Sequence, residues 1–285
     1  MRIVPFEPLD PGMYRELVRR ALAEDFGWGD VTTETVIERD QKARAVILAK
    51  SPCVLAGLEI ASEAFRQLDP SVNVVTHFKD GDRCEPGSVV AEYRGHAASL
   101  LTAERTALNF LQRLTGIATL TRKFVDAADG RITVLDTRKT TPLLRALEKY
   151  AVRCGGGVNH RMGLFDMALV KDNHVAAAGG VAEAYRLVKD LASTIPVEIE
   201  VDSLEGLRAA IESGADEVLI DNFTPDQMRE AVALRDELNR SVTIEASGGL
   251  TIETARVVGA SGVDYIAVGE LTHSARVLDI GLDLS

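Results

Sequence analysis

Short apolar runs that end in polar residues recur through the second half of the chain. They are ITVLDTRK (132–139), MALVKDNH (167–174), VEIEVDS (197–203), EVLIDNF (217–223), TIEASGG (243–249) and YIAVGEL (265–271). Segments with helical spacing, such as LEGLRAAIES (204–213), lie between them. The last three steps are roughly 20 to 25 residues long, the size of a minimal strand–helix unit. The pattern predicts six successive parallel strand–helix units.

One predicted helix carries its own start signal. Thr224 and Gln227 have capping-box spacing, and Pro225 stands at the first helical position before the stretch QMREAVALRDEL (227–238). Six strand–helix units favour a closed parallel β/α barrel. An open doubly wound sheet would usually carry a glycine fingerprint after its first strand, and the sequence has none there. In a barrel the functional groups lie at the carboxyl ends of the strands, where each of the six runs carries its polar residues.

The first 114 residues have a different pattern. They contain a helix followed by the turn-rich stretch EDFGWGDVTTETV (24–36), a strand pair and a helix (41–68), alternating segments with two glycine turns (73–96), and the start of a long amphipathic segment (100–128). We therefore expect an N-terminal domain of residues 1–114 and a barrel of residues 115–274. The tail, 275–285, is expected to pack on the N-terminal domain.

Composition and charge narrow the choice of ligand. The 285 residues are 46% hydrophobic and 26% charged, which is a globular composition, and the net charge of −11 disfavours a broad surface for nucleic acid or anionic membranes. From Arg138 to His174, however, seven Lys or Arg residues stand against three acids. This positive island indicates a small anionic ligand. The alternative, solvated helix faces, fits Arg145, Lys149 and Arg153, which have helical spacing.

The cysteines and the apolar runs indicate a compartment. Cys53, Cys84 and Cys154 are far apart and odd in number, without zinc spacing or a disulfide framework, so a reducing cytoplasm fits best. Residues 1–20 lack a secretory apolar core, and no run of 18 apolar residues occurs. We expect a soluble, cytoplasmic protein.

Cations and acids lie at the ends of the predicted strands, and two further cations, His160 and Arg161, lie between the first two strands. The cations are Arg138, Lys139, His160, Arg161 and Lys171. Together they could hold two or more anionic groups, because arginine grips carboxylate or phosphate with two bonds and lysine offers a point charge. The alternative is an internal ion-pair network with Glu200, Glu245 and Asp221.

Glu200 and Asp221 end successive strands and are expected to face one cavity, where they could hold Mg²⁺, grip ribose hydroxyls or stabilise a developing carbocation. Glu198 lies on the same side of its strand and competes with Glu200. The glycine-containing ends SGG (247–249) and VGE (268–270) predict a phosphate cradle, because the loops after the last barrel strands commonly bind phosphate through backbone N–H groups. The residues alone thus indicate a phosphorylated sugar and a second polyanion.

Several stretches resemble the quinolinate phosphoribosyltransferase family over nearly the whole chain. They are EDFGWGDVTTE, ERTALNFLQRLTGIAT, DTRKTTPLLRALEKYAVRCGGGVNHRMGLFDMALVKDNH, EIEVD, LIDNF, EASGG and VGELTHS. The resemblance implies an N-terminal α/β sandwich domain, a seven-stranded β/α barrel and a homodimer or larger oligomer. The seventh strand is then expected near GLFD (163–166) or before residue 132.

The resemblance also implies roles for single residues. Arg138, Arg161 and His160 would hold the two carboxylates of quinolinate, and Lys139 and Lys171, also the expected catalytic lysines, would be shared with phosphoribosyl pyrophosphate. Further implied contacts are Thr140, the ribose-facing Glu200 and Asp221, the phosphate cradle of Ser247, Gly248, Gly249, Val268, Gly269 and Glu270, and Arg105 from a neighbouring subunit. Mg²⁺ would be held mainly by substrate phosphates, with Glu200 and Asp221 as further candidates.

Two rival functions fit some of the same residues. A Schiff-base lyase could use Lys139 or Lys171, because a crowded cationic site can lower the pKa of a lysine. A non-catalytic relative of the same fold would bind an anion without releasing pyrophosphate. The order of the matching motifs favours the phosphoribosyl transfer.

Overall fold

The computed structural model describes residues 7–191 and 194–285, so the first six residues of the predicted N-terminal domain lie outside it. The chain divides into two compact units. The first unit comprises the described residues as far as Arg122, with Thr141–Gly156 and Thr272–Ser285. The barrel unit comprises Lys123–Thr140 and the described part of Gly157–Leu271.

The described residues form twelve strands and eleven α-helices. The strands are β1 (Lys42–Ala49), β2 (Cys53–Val54), β3 (Asn73–Thr76), β4 (Arg83–Cys84), β5 (Val89–His96), β6 (Thr133–Leu135), β7 (Ala168–Val170), β8 (Val197–Val201), β9 (Glu217–Asp221), β10 (Thr243–Ser247), β11 (Tyr265–Ala267) and β12 (Ile280–Leu284). The helices are α1 (Arg15–Phe26), α2 (Val31–Val36), α3 (Leu58–Leu68), α4 (Ala97–Ala128), α5 (Arg145–Cys154), α6 (Asp172–Ala178), α7 (Val181–Leu191), α8 (Leu204–Glu212), α9 (Pro225–Leu238), α10 (Ile252–Gly259) and α11 (Glu270–His273).

The first unit is built on an antiparallel sheet with the strand order β12-β1-β5-β3, and β2 pairs with β4 in a small second sheet. The last strand, β12, lies antiparallel to β1, so the end of the chain adds a strand to the N-terminal sheet. The turn-rich prediction for 24–36 is wrong in its second half, which forms α2. Asp30 caps this helix by accepting a hydrogen bond from the backbone N–H of Thr33, the interaction that makes aspartate favourable at such a position.

Residues 141–156 belong to the first unit, whereas the sequence-based division placed them in the barrel. Two side-chain contacts tie helix α5 there. The Tyr150 hydroxyl donates to Asp80 at 2.7 Å, and Arg113 donates to the buried Glu148 at 2.8 Å. Contacts between residues so far apart in sequence leave no mark in the local hydrophobic pattern.

The barrel unit contains all six predicted parallel strands, in the order β6-β11-β10-β9-β8-β7. Neither location expected for a seventh strand forms one among the described residues. Instead, a single parallel bridge joins Val158 to Leu135 beside β6. Helix α9 starts as predicted, with Thr224 and Gln227 completing the capping box and Pro225 at the first helical position.

Strand register brings the polar strand ends to one edge of the barrel. Asp221 pairs with Ser247 across β9 and β10, and Glu200 pairs with Leu219 across β8 and β9. The middles of these strands are apolar and buried, including Ile199, Val218 and Ile244. Because parallel strands end at the same edge, their polar terminal residues meet there.

Candidate active site

A cavity of about 290 Å³ lies in the barrel unit, lined by residues at or just after strand ends. Eight of the predicted site residues line it: Arg138, Lys139, His160, Arg161, Lys171, Glu200, Asp221 and Ser247. These eight residues, which are spread over positions 138 to 247 of the sequence, thus line one cavity, as the barrel interpretation predicted.

Other predicted site residues do not line this cavity. Thr140 follows in the turn after β6, where its backbone N–H donates to the Arg138 carbonyl. Val268 is buried and its N–H donates to the Leu135 carbonyl. Gly269 directly precedes α11, which begins at Glu270.

The glycines after β10 have a conformational reason. Gly248 has a φ of 97°, and a Cβ atom there would lie 2.2 Å from the Asn222 side-chain oxygen. Gly249 follows with a φ of 58°. Glycine adopts such angles without steric cost, so this turn keeps the backbone open to close approach just beyond Ser247.

Arg105 belongs to the first unit, on helix α4. Its side chain is 61% exposed, and its nearest acidic group is Glu104, with 3.9 Å between the guanidinium and carboxylate atoms. A contact this long and this exposed contributes little, so the side chain remains available to a ligand or another molecule.

Lys171 and Glu200 form a direct ion pair within the cavity. The Lys171 side chain is 46% exposed. Exposed pairs of this kind typically stabilise a protein by no more than about 1 kcal/mol. An anionic ligand can therefore exchange with Glu200 for the ammonium group at small cost.

The two arginines in the cavity, Arg138 and Arg161, lie close enough for their positive charges to interact. Burial lowers the pKa of the Arg161 guanidinium, and the positive charge of Arg138 lowers it further. The Arg161 guanidinium donates to the backbone carbonyl of Met167 at 3.2 Å. Two guanidinium groups held near one another repel, and an anion bound between them would remove that repulsion.

His160 is held on every side by protein groups. Its Nε2 atom lies 2.9 Å from Glu198 and 3.5 Å from Glu245, and its Nδ1 accepts a hydrogen bond from the Arg161 backbone N–H at 2.7 Å. Since Nδ1 accepts, the ring proton lies on Nε2. The His160 backbone N–H donates to Asp136 at 2.9 Å. Of the ion-pair network considered as the alternative, the structure shows Lys171 paired with Glu200 and His160 within 3.5 Å of Glu245.

Burial raises the pKa of the Glu245 carboxyl well above its usual range, and the negative charges of Glu198 and Glu217 raise it further. Among the described residues, one oxygen of Glu245, Oε1, is buried without a hydrogen-bond partner. A buried carboxyl beside a second carboxylate favours its protonated form.

Two groups of residues have donor atoms suited to a cation. Donor atoms of His160, Glu198 and Glu245 lie within 4.8 Å of one another, and His160 Nε2 is already hydrogen-bonded to Glu198 at 2.9 Å. Glu200 and Asp221 offer carboxylate oxygens, the ligands that Mg²⁺ prefers. The second pair fits a Mg²⁺ ion that arrives with a phosphorylated ligand.

Five further lining residues were not predicted as part of the site: Thr137, Leu169, Leu219, Glu245 and Ala267. Four of them stand two positions before a predicted polar residue, as Glu245 stands before Ser247 and Leu219 before Asp221. Side chains two positions apart in a strand lie on the same face. Including the residue two positions before each predicted polar residue would therefore have found these four.

Comparisons with known proteins agree with this architecture. The model of the quinolinate phosphoribosyl transferase C-terminal domain matches residues 117–283, and that of the N-terminal domain matches residues 30–115. The chain is 45% identical to a probable nicotinate-nucleotide pyrophosphorylase (carboxylating) of Bacillus subtilis, covering 95% of this chain and 93% of the relative. It is 46% identical to the corresponding enzyme of Mycobacterium leprae, covering 95% and 96%.

Two solved structures have the same overall fold as this chain. NadC from Streptococcus pyogenes superposes with a TM-score of 0.94 at 41% identity, covering 98% of this chain and 99% of that one. The nicotinate-nucleotide pyrophosphorylase from Francisella tularensis gives a TM-score of 0.94 at 37% identity, and each chain is fully covered. Among the helices in the described part of the chain, none combines the length and the apolar character needed to cross a bilayer.

Proposed function

The chain belongs to the quinolinate phosphoribosyltransferase family, and from that premise we propose what its cavity does. It transfers the phosphoribosyl group of phosphoribosyl pyrophosphate to quinolinate and removes one carboxyl group. The products are nicotinate mononucleotide, pyrophosphate and CO₂, a step of de novo NAD biosynthesis.

The observation that carries this proposal is the charge arrangement of the cavity. Arg138, Lys139, Arg161 and Lys171 line one space of about 290 Å³ together with Glu200 and Asp221. Four cations match a dicarboxylate and a phosphorylated partner, and the two acids match a sugar ring that becomes positive. A site for a single neutral ligand would need neither feature.

Arg138 and Arg161 are proposed to bind the two carboxylates of quinolinate. His160, the third predicted contact, lines the same cavity, and to bind a carboxylate it would have to exchange Glu198 for the substrate at Nε2. Arg138 already lies close enough for its positive charge to lower the pKa of Arg161. Lys139 and Lys171, which line the same cavity, are proposed to contact both quinolinate and the phosphates, with Thr140 in the loop after β6 as a further contact. The 5′-phosphate would lie against the backbone at Ser247, Gly248 and Gly249, and against Val268, Gly269 and Glu270 after β11.

The chemistry requires positioning more than a covalent nucleophile. The lone pair of the pyridine nitrogen attacks C1 of the ribose, and the bond from C1 to the pyrophosphate oxygen breaks. In a loose transition state, positive charge develops on the ribose ring, and Glu200 and Asp221 stabilise that charge electrostatically. The product pyridinium is an electron sink, so the bond to the 2-carboxylate can break with loss of CO₂.

Mg²⁺ is proposed to enter with phosphoribosyl pyrophosphate, held mainly by phosphate oxygens, with Glu200 and Asp221 as its carboxylate partners. When bound, the ion neutralises charge on the leaving pyrophosphate. Lys139 and Lys171 add to that neutralisation from the protein side.

A homodimer or larger oligomer is proposed to complete the site with Arg105 from a neighbouring copy, a role supported by the exposure of this side chain. The test mixes two inactive variants, Arg105→Ala and Lys139→Ala. If Arg105 acts across the interface, random dimers regain about a quarter of the wild-type activity, because half of the dimers each contain one intact site. No recovery after mixing, with subunit exchange demonstrated, would contradict the exchange of Arg105.

We also propose that the protein works in the cytoplasm, since its three cysteines are buried free thiols in the structure and suit a reducing compartment.

The reaction is tested with quinolinate, phosphoribosyl pyrophosphate and Mg²⁺, following pyrophosphate and nicotinate mononucleotide together. Equal amounts of both products, lost on addition of EDTA, are expected. Binding of quinolinate without turnover would favour a non-catalytic relative. A lyase predicts instead an adduct trapped by borohydride with a carbonyl substrate.

A further inference from the structure

A carboxyl pair lies at the bottom of the cavity, and the proposed roles above do not use it. Glu198 and Glu245 are only 2% and 4% exposed. Both reach the same atom, Nε2 of His160, at 2.9 Å and 3.5 Å. Glu245 lines the cavity and can touch a bound ligand, which makes it the member of the pair that could take part in chemistry.

The surroundings of this pair hold a proton on Glu245. The groups that face it are Glu198 on β8, Glu217 on β9, Asp136 after β6, His160, and Tyr265 on β11. Three of them are acids, and His160 Nδ1 accepts a hydrogen bond from the Arg161 backbone N–H. The Arg161 guanidinium acts on Glu198, so Glu198 is the member of the pair with a cation to balance its charge, and a buried carboxyl beside that carboxylate favours its protonated form. Burial and the charge of Glu198 accordingly raise the pKa of Glu245.

The proposed reaction needs a proton donor inside the cavity, and Glu245 lines it. Loss of CO₂ leaves an electron pair on C2 of the pyridinium, and the product carries hydrogen there. A proton taken from Lys139, Lys171 or an arginine would remove the charges that hold the anionic groups. A neutral carboxylic acid gives its proton more readily than an ammonium or guanidinium group does, and its loss leaves the cations unchanged.

We propose that Glu245 is the acid that protonates C2 after CO₂ departs, an inference that rests on the proposed function. The bond between C2 and the carboxylate breaks and its electron pair stays on C2. That pair forms the new C–H bond, while the O–H bond of Glu245 breaks and leaves a carboxylate. Glu245 regains its proton from water after the product leaves, so no oxidant or reductant is needed.

Single-turnover kinetics test this role in Glu245→Gln. The enzyme is mixed in excess with phosphoribosyl pyrophosphate, Mg²⁺ and quinolinate labelled in its 2-carboxylate, and pyrophosphate, labelled CO₂ and nicotinate mononucleotide are timed separately. We expect pyrophosphate release close to the wild-type rate and nicotinate mononucleotide formation slowed about 100-fold or more, the usual range for loss of a general acid. Quinolinate mononucleotide should accumulate, because the unprotonated carbon can recapture CO₂.

Glu212→Gln is the control. Glu212 is the last residue of α8 in the same unit, in an exposed pair with Arg208, and it is not among the residues that line the cavity. Both steps should stay within about twofold of wild type in this variant, well below the loss expected for a general acid.

Three outcomes are distinct. Equal slowing of pyrophosphate and of nicotinate mononucleotide in Glu245→Gln, or no slowing of either, overturns the inference. Wild-type enzyme that releases no pyrophosphate overturns the proposed function instead. If Glu245→Gln does not fold, Glu245→Asp keeps an acid one methylene shorter. A selective delay in its second step supports the role, and equal delays in both steps contradict it.

Discussion

Two cavities of almost equal volume use arginine in opposite ways. The barrel cavity measures about 290 Å³ and a cavity in the first unit about 280 Å³. In the first unit, Arg113 donates to Glu148 and to the backbone carbonyls of Thr272 and Ala275. In the barrel, Arg161 lies near the like charge of Arg138.

The difference shows that volume alone does not make a binding site. The donors of Arg113 are consumed by the protein, so this residue joins α4, α5 and the chain end within the first unit. The positive charge of Arg138 instead lowers the pKa of Arg161, and an anion bound beside both would relieve that repulsion. A buried acid beside an arginine therefore indicates a role in the fold, as for Arg113, whereas a like charge beside it indicates a place for an anion.

The largest expected effect comes from breaking the structural arginine pair. Glu148→Ala should lower the free energy of unfolding by about 3–5 kcal/mol, because it leaves the charge of Arg113 without its buried partner. Urea unfolding measures this. A loss below about 1 kcal/mol would show that this pair behaves like an exposed one and would remove the contrast between the cavities.

Arg138→Lys tests the arginines of the barrel cavity. Losing the two-bond grip on a carboxylate should lower kcat/KM by a factor that corresponds to about 1.5–3 kcal/mol, with little change in thermal stability. Arg131→Lys, in an exposed pair with Asp129 in the same unit, is the control and should change neither quantity. Unchanged kcat/KM in Arg138→Lys would count against the carboxylate role.

The carboxyl group of Glu245 should make the free energy of unfolding depend on pH. The folded pKa of Glu245 is raised, so the folded state binds this proton more tightly, and the contribution is lost as pH rises above the unfolded value of about 4.3. From pH 5 to 8, wild type should lose up to about 1.4 kcal/mol per pH unit relative to Glu245→Gln. Chemical unfolding at several pH values measures this, and parallel curves would mean that Glu245 is ionised in the folded state.

The smallest stability effect is expected at the exposed ion pair. Glu200→Gln should change the free energy of unfolding by less than about 1 kcal/mol, while activity falls at least about tenfold through loss of charge stabilisation. A large stability change with normal activity would make Lys171 and Glu200 a structural pair like Arg113 and Glu148.

Local patterns predicted much of the barrel. The alternation of apolar runs and helical stretches indicated all six strands, and the spacing of Thr224 and Gln227 indicated the start of α9. Six of the eight predicted site residues in the cavity follow from a topological rule, since parallel strands end at one edge. His160 and Arg161 follow no predicted strand, and the family motif supplied them. Family motifs then supplied the substrates, which composition and spacing left open.

What the sequence by itself determined, then, is local: strand identity, helix caps and the polar residue at each strand end. The tertiary structure decided the partners. His160 contacts Glu198 and Glu245, which lie on two different strands, and β12 pairs with β1 from the opposite end of the chain. Such pairings depend on how strands and loops meet across hundreds of residues, whereas hydrophobic periodicity reports only the few residues around each position. For that reason only the folded chain shows that burial and neighbouring acids raise the pKa of Glu245.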